Sequence, residues 1–208
     1  SIVSLAQHES QSRFFENIVG RSKAFCEYIF PQLSKIILPE NITAETFHRC
    51  VNSVSYTPIR VDSDELYYNL HIALRTKLEH ELINGNLQAS DLNEAWNQEF
   101  ERLFNKKLQS KKDGYLQDVH WSSGLFGYFP TYTIGNLIAA QVAQKLNNDT
   151  AIFSGKFDKD SIPTIKAWLR KNFYIHGNKY CTEDFVKKVT GEALNAKPLI
   201  EDLKKRYY

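Results

Sequence analysis

Two places in the sequence begin the metalloprotease signature HExxH, and neither completes it. His8-Glu9 is followed by Ser12 where the second histidine should stand, and His80-Glu81 by Asn84. A zinc site of that kind needs both imidazoles one helical turn apart on one face. His80-Glu81 therefore reads as part of a solvated helix face. The first pair has different company: His8-Glu9-Ser10-Gln11-Ser12-Arg13, then Glu16-Asn17, opens a pattern whose other face is strongly apolar. Two readings stay open for it. One is a polar first turn that suits the helix dipole; the other is a helix presenting one carboxylate, Glu9, to a metal held elsewhere.

Residues 114–135, GYLQDVHWSSGLFGYFPTYTIG, form the least core-like stretch of the chain. Gln117, Asp118, His120, Trp121, Tyr128 and Tyr132 stand there among glycines, which permit close backbone approach. An aspartate two residues from a histidine can orient an imidazole, and a tyrosine hydroxyl can donate to an oxyanion. Packing of an aromatic loop on helices would use the same residue types. Arg60 lies in Ile59-Arg60-Val61-Asp62-Ser63-Asp64, just ahead of a helix start rich in carboxylates. A surface ion pair explains it; so does a guanidinium fork for a substrate carboxylate.

The elements that would carry these groups are helical. Phe14, Ile18, Phe25 and Ile29 form one stripe and Phe15, Val19, Cys26 and Phe30 its neighbour, which predicts a long amphipathic helix towards Leu38, kinked at Pro31. Thr43 is expected to cap a short helix through Phe47 and Val51. Asp62 with Glu65 suggests a capping box ahead of Leu66, Leu70, Leu74, Leu78 and Leu82, with Gly85 as a stop. Ser90 is the expected cap of a helix bearing Leu92, Trp96, Phe100, Phe104 and Leu108. Further helices are expected near Tyr132 to Leu146, Ser161 to Phe173, Glu183 to Val189 and Pro198 to Arg206. Strand signals are weak, at Val51 to Ile59 and Tyr115 to Trp121. The fold class is mostly α, with at most short strand segments.

Composition bounds the function. The chain has 208 residues, 42% hydrophobic and 24% charged, with a formal charge of +2. That is ordinary globular composition with too little net charge to argue for a nucleic-acid or anionic-membrane partner. The apolar stretch around Asn136 to Val142 falls far short of the ~20 residues a bilayer span needs. Cys26, Cys50 and Cys181 are scattered and odd in number, so a reducing, cytoplasmic setting is expected rather than a disulfide framework. The chain opens on Ser1 without an initiator Met, as a piece of a longer protein would.

HESQ at His8 to Gln11, IRVDSD at Ile59 to Asp64 and GYLQDVHW at Gly114 to Trp121 occur in that order. Together they resemble the downstream motifs HES(G/Q), (I/V)RxxAD and GxxQDxHW of the thermostable metallocarboxypeptidase family typified by carboxypeptidase Taq. GRSKAF near Gly20, YNLHI near Tyr68 and GYFPTYTIGNL near Gly127 extend the resemblance over nearly the whole chain. Ser63 stands where the family usually has Ala.

The resemblance implies a helical, groove-type metallopeptidase fold, a zinc ion, and removal of single residues from peptide C-termini. All 208 residues would be the C-terminal part of one catalytic domain. Carried over by position, Glu9 is the third protein ligand of the zinc and Arg60 binds the substrate's terminal carboxylate. Tyr132 stabilises the oxyanion, with His120 beside it at the catalytic centre. Gln117 and Asp118 line the groove on the substrate-binding side. The partners implied are peptide substrates, with neither nucleic acid nor membrane, and a homodimer of the intact protein is compatible with the family. The HExxH segment of the family lies upstream of HESQ and is not in this sequence, so the chain alone is expected to be inactive. Two other readings remain: a non-catalytic helical module that binds peptides or partner proteins, and a helical oligopeptidase cleaving internally, which would not need Arg60.

Overall fold

The computed structural model describes residues 4–36 and 41–208, without the Lys111 side chain. Among the described residues the regular structure is helical and no strand occurs. In chain order the helices are α1 (Leu5–Arg13), α2 (Lys23–Leu33), α3 (Ala44–Val51), α4 (Glu65–Ile83), α5 (Leu92–Phe104), α6 (Pro130–Thr150), α7 (Ser161–Asn172), α8 (Thr182–Thr190) and α9 (Lys197–Tyr207). No helix among the described residues is long and apolar enough to cross a membrane. The chain divides into two compact units, Ser1–Ser53 with Ile134–Tyr208, and Val54–Thr133.

The first unit has its core where α1, α6, α7 and α8 turn their apolar stripes inward: Ala6, Phe14, Ile138, Val142, Leu146, Ile165, Leu169, Phe185 and Val189 are all buried. The single long helix expected at the start is in fact two. A π-helical turn, Phe14–Val19, follows α1, and the chain breaks at Gly20 rather than at Pro31. A Cβ on Gly20 would stand 2.8 Å from the Glu16 carbonyl oxygen, so the wide turn is closed by a residue without a side chain. Ser22 then caps α2 by accepting the Phe25 N–H at 3.2 Å. Pro31 sits in the last turn of α2, where it removes one i→i−4 donor but the helix runs on only to Leu33, and Leu38 lies outside the described residues. Thr43 caps α3 as expected, accepting from Thr46 N–H at 3.1 Å.

α6 and α1 approach closely at one place. Gly135 lies against Glu9, and a Cβ there would be 3.2 Å from Glu9 Cβ, Glu9 Cγ and the Ser10 backbone nitrogen. Gly135 thereby fixes how far the HESQ turn stands from α6.

The second unit is built on α4 and α5. Leu74, Leu78, Leu92, Trp96, Phe100 and Phe104 form its core, with Phe100 and Phe104 stacked at 4.3 Å. The α4 cap is Asp64, not Asp62: its Oδ1 accepts from Leu66 and Tyr67 N–H at 2.9 and 3.0 Å. Asp62 lies instead in a short 3-10 turn, Arg60–Asp62. α4 ends two residues before Gly85. Ser90 falls in another 3-10 turn and donates to Asp91, leaving α5 without a side-chain cap.

The weak strand signals at Val51 to Ile59 and Tyr115 to Trp121 come to no strand, because backbone groups there find other partners. Ser55 N–H bonds Asp64 Oδ2 at 2.8 Å, and the Thr57 carbonyl accepts from His71 Nε2 at 3.2 Å. Pro58 has no donor to give a ladder. Tyr115–Gln117 is a 3-10 turn. The irregular segment from Gly114 to Phe129 is instead tied to α4 by a buried carboxylate: Glu79 Oε2 accepts the Trp121 indole N–H at 2.6 Å, and its Oε1 accepts the Gly127 N–H.

Three expectations follow. Glu79→Ala removes the acceptor of the Trp121 indole N–H and the Gly127 N–H and is expected to cost about 2–3 kcal/mol, read by urea unfolding; a loss near zero would mean the loop holds without this clasp. Gly135→Ala sets a helix-propensity gain of about 1 kcal/mol against crowding of the Ser10 backbone, where overpacking costs about 1–3 kcal/mol; a net loss in thermal stability is expected, and a gain would show that α1 yields freely. His71 is fully buried and burial, with the Arg75 charge beside it, pushes its imidazole down to about 4. The unfolded chain takes up that proton near pH 6.5 while the folded one resists until about 4, so acid favours unfolding across this window. His71 is expected to contribute about 3 kcal/mol of stability lost between pH 7 and 4, and His71→Gln should flatten that part of the pH profile.

Candidate functional site

The second unit gathers Arg60, Gln117, Asp118, His120 and Tyr132 into one cluster, although they come from three separate places in its sequence. Arg60 enters from the 3-10 turn ahead of α4. Its backbone is held by Gln117, whose Oε1 accepts the Arg60 N–H at 2.7 Å while its Nε2 donates to the carbonyls of Pro58, Asp113 and Gly114 at 3.2, 2.8 and 3.2 Å. The Gln117 amide thus fastens the loop to the segment that carries Arg60.

The Arg60 side chain is 9% exposed. Its Nε and Nη2 both donate to Asp118 Oδ1, at 2.9 and 2.6 Å, and its Nη1 donates to the Tyr68 hydroxyl at 2.8 Å. The guanidinium also lies 5.4 Å from the Tyr132 ring centre and 5.8 Å from that of Tyr68. Five N–H donors are present on a guanidinium and three are used here, which leaves two. Burial alone would lower the Arg60 pKa, but the Asp118 hydrogen bond and charge raise it above its ordinary value.

Asp118 is shared between two guanidiniums. Its Oδ2 accepts from Arg75 Nε at 2.6 Å, and its side chain is 6% exposed. Burial would raise its pKa; the Arg60 and Arg75 guanidiniums more than offset this and hold the carboxyl below the usual range. Arg75 itself is fully buried, with its guanidinium 4.9 Å from the Trp96 ring centre and 5.6 Å from that of Phe129, and its Nη1 donates to the His71 carbonyl at 3.0 Å. Burial pushes it down to about 10, so it remains cationic at neutral pH. Glu79 makes no ion pair with either guanidinium; both its oxygens serve the loop.

His120 Nε2 lies 3.1 Å from the Tyr132 hydroxyl, and its ring packs on Phe129 at 4.3 Å between centroids. Its Nδ1 is buried without a hydrogen-bond partner. Burial, then the nearby Arg60 charge, lowers its pKa, so the imidazole is neutral at pH 7. A neutral imidazole beside a phenol fixes one hydrogen bond at the Tyr132 oxygen without adding a second charge next to Arg60.

Glu9 belongs to the first unit. Its side chain is 21% exposed and its carboxylate pairs with Arg13 Nε at 3.1 Å. No group of three or more His, Cys, Asp or Glu residues that could hold a metal occurs among the described residues. His80 and Glu81 lie on the solvent side of α4, their side chains 72% and 36% exposed.

Four members of the cluster escaped the sequence reading: Tyr68, His71, Arg75 and Glu79. They recur at spacings of three, four and four along α4, a helical stripe in its own right. The signal was a row of long polar groups beside the leucine stripe, which looks the same as a solvated helix face until burial is known.

The sequence profile described as Carboxypeptidase Taq (M32) metallopeptidase matches residues 1–207. The thermostable carboxypeptidase 1 of Thermus thermophilus is 42% identical over 206 residues, covering 99% of this chain and 40% of the relative. That of Pyrococcus furiosus is also 42% identical, with 99% and 41% covered. Among solved structures, Trypanosoma cruzi metallocarboxypeptidase 1 superposes with a TM-score of 0.92 at 35% identity, over 99% of this chain and 44% of its own. A carboxypeptidase from Pyrococcus furiosus gives 0.92 at 40% identity, over 100% and 42%. The chain therefore spans about 40% of the length of the curated relatives it matches. With motifs, helical fold and superposition in agreement, the chain belongs to the carboxypeptidase Taq (M32) family of metallopeptidases.

Proposed function

We propose that the protein to which this chain belongs is a zinc-dependent carboxypeptidase removing single residues from peptide C-termini, and that this chain supplies the part that reads the terminus. The observation that carries the reading is Arg60. It is a buried cation held along one edge by Asp118 and steadied by two tyrosine rings, with two N–H donors left over. A peptide's terminal carboxylate offers two acceptor oxygens in the spacing a guanidinium edge matches. An enzyme that cuts only within chains has no use for such a group.

In this reading Arg60 anchors the terminal carboxylate and Tyr132 donates to the oxyanion of the tetrahedral intermediate. His120 holds the Tyr132 hydroxyl and, being neutral, leaves the local positive charge to Arg60. Gln117 fixes the backbone beneath Arg60. A bound zinc would lower the pKa of a water and polarise the scissile carbonyl. Glu9 is proposed as one of its ligands. One carboxylate paired to Arg13 does not hold the ion, since zinc sites use three protein ligands plus water or substrate, and the remaining donors must lie outside the described residues. This chain alone is accordingly expected to be inactive.

The test is made on the intact protein. Arg60→Ala should lower kcat/KM on free-carboxylate peptides by roughly 100-fold, in keeping with loss of a charge-assisted pair of about 2–3 kcal/mol, and should leave C-terminally amidated peptides little changed. Equal losses on both would remove the anchoring role. Activity that survives exhaustive chelation would remove the metal, and peptide binding without any hydrolysis would leave a binding module.

A further inference from the structure

Asp118 stands in the stretch expected on the substrate-binding side, yet both its oxygens are engaged. Oδ1 accepts two N–H groups from Arg60 and Oδ2 one from Arg75. We propose that Asp118 and Arg75 form a buried strut that sets the plane of the Arg60 guanidinium, acting as positioning residues that never touch the peptide. The inference rests on the reading of Arg60 as the carboxylate anchor and assigns a task to Arg75, which lies in none of the three motifs.

An arginine side chain has four rotatable bonds, so an unsupported guanidinium is poorly aimed. Here Asp118 Oδ1 takes one N–H each from Nε and Nη2 while the Tyr68 hydroxyl takes one from Nη1, which together fix the plane and leave one N–H on each of Nη1 and Nη2 for a second carboxylate. Asp118 can do this only if its own rotation is fixed. Arg75 does so from the opposite side, at 2.6 Å. Arg75 in turn cannot swing: it is fully buried, tied to the His71 carbonyl, and held against the Trp96 and Phe129 rings. A chain of contacts thus runs from the α4 core to the edge of Arg60, each link fixing the next.

A simple field account makes the opposite prediction. Asp118 is a negative charge beside the anchor, and neutralising it should strengthen attraction for an anion. The strut account expects weaker binding, because the anchor loses its aim. Asp118→Glu separates the two further, since it keeps every charge and moves the carboxylate by one methylene.

The experiment titrates an N-acetylated dipeptide, as free acid and as amide, onto the intact protein kept metal-free with chelator so that no turnover intervenes. The readout is the preference for acid over amide. Arg60→Ala should abolish it. Asp118→Asn and Asp118→Glu should each reduce it about tenfold with Arg60 in place, and Arg75→Lys, which keeps the charge without an Nε edge, should do the same. Near-UV circular dichroism of the packed Trp96 and Trp121 checks that each variant is folded; should Asp118→Asn fail to fold, the charge-conserving Asp118→Glu and Arg75→Lys decide. If Arg60→Ala leaves the preference intact, the anchoring reading fails. If Arg60→Ala abolishes it while the Asp118 and Arg75 variants bind with unchanged or stronger preference, the strut is wrong and the anchor stands.

Discussion

Two guanidiniums buried a few ångströms from one carboxylate form the constraint on which the second unit depends. Either arginine without Asp118 would be a desolvated cation lacking a counter-charge, at a cost of several kcal/mol. With Asp118 between them, the loop that carries it must sit where the carboxylate meets both. Its neighbours in sequence are then committed too: Gln117 reaches the backbone of Pro58 and Arg60, His120 meets Tyr132, and Trp121 meets Glu79. One largely irregular loop is thus pinned by closely spaced side chains, with only the exposed Val119 between them, rather than by a ladder of backbone bonds.

Such an arrangement is an expensive way to gain stability. Apolar groups of similar volume pack a core as firmly without desolvating charges, and replacing buried ion pairs in that way is often stabilising. What a charged contact supplies that a methyl contact does not is direction. A guanidinium held at Nε and Nη2 by a carboxylate and at Nη1 by a phenol has a set orientation, which is what the proposed recognition of a second carboxylate requires. The low-lying His71 and His120 fit the same logic. Two imidazoles kept neutral can take hydrogen-bonding roles at the Thr57 carbonyl and the Tyr132 hydroxyl without adding to the positive charge already there.

Much of this was legible in the sequence, and the parts that were not share a cause. Helices α4 to α9 follow from apolar spacing to within a few residues, because a buried stripe leaves a clear period. The exception is the end of α5, which stops at Phe104 with Asn105 in the left-handed region and leaves Leu108 outside it. Boundaries were harder where capping chemistry competes. Asp62 and Asp64 both look like N-caps, and only the tertiary fold, which draws Arg60 and Asp62 into a 3-10 turn, chooses Asp64. The break at Gly20 was hidden because a π turn preserves the look of a continuous stripe. At the site, Arg60, Asp118, His120 and Tyr132 were readable as residue types in a dense motif. Arg75 and Glu79 were not, since a buried polar stripe on α4 and an exposed one have the same letters.

The same contrast bears on how the chemistry is divided along the chain. Glu9 and Arg60 each stand in a recognisable motif, but their surroundings differ in kind. The proposed carboxylate seat at Arg60 has a charged guanidinium held by Asp118 and Tyr68, a backbone clamped by Gln117, and a phenol and a neutral imidazole beside it. Around Glu9 there are one arginine, which pairs with both Glu9 and Glu16, and a glycine that sets its distance from α6. An arginine beside a carboxylate satisfies its charge without using the geometry a metal would need, so the proposed ligation requires Arg13 to share or release Glu9. The proposed ligand role of Glu9 is therefore coupled to groups that bring their own charge, whereas the proposed seat at Arg60 draws its named supports from one unit.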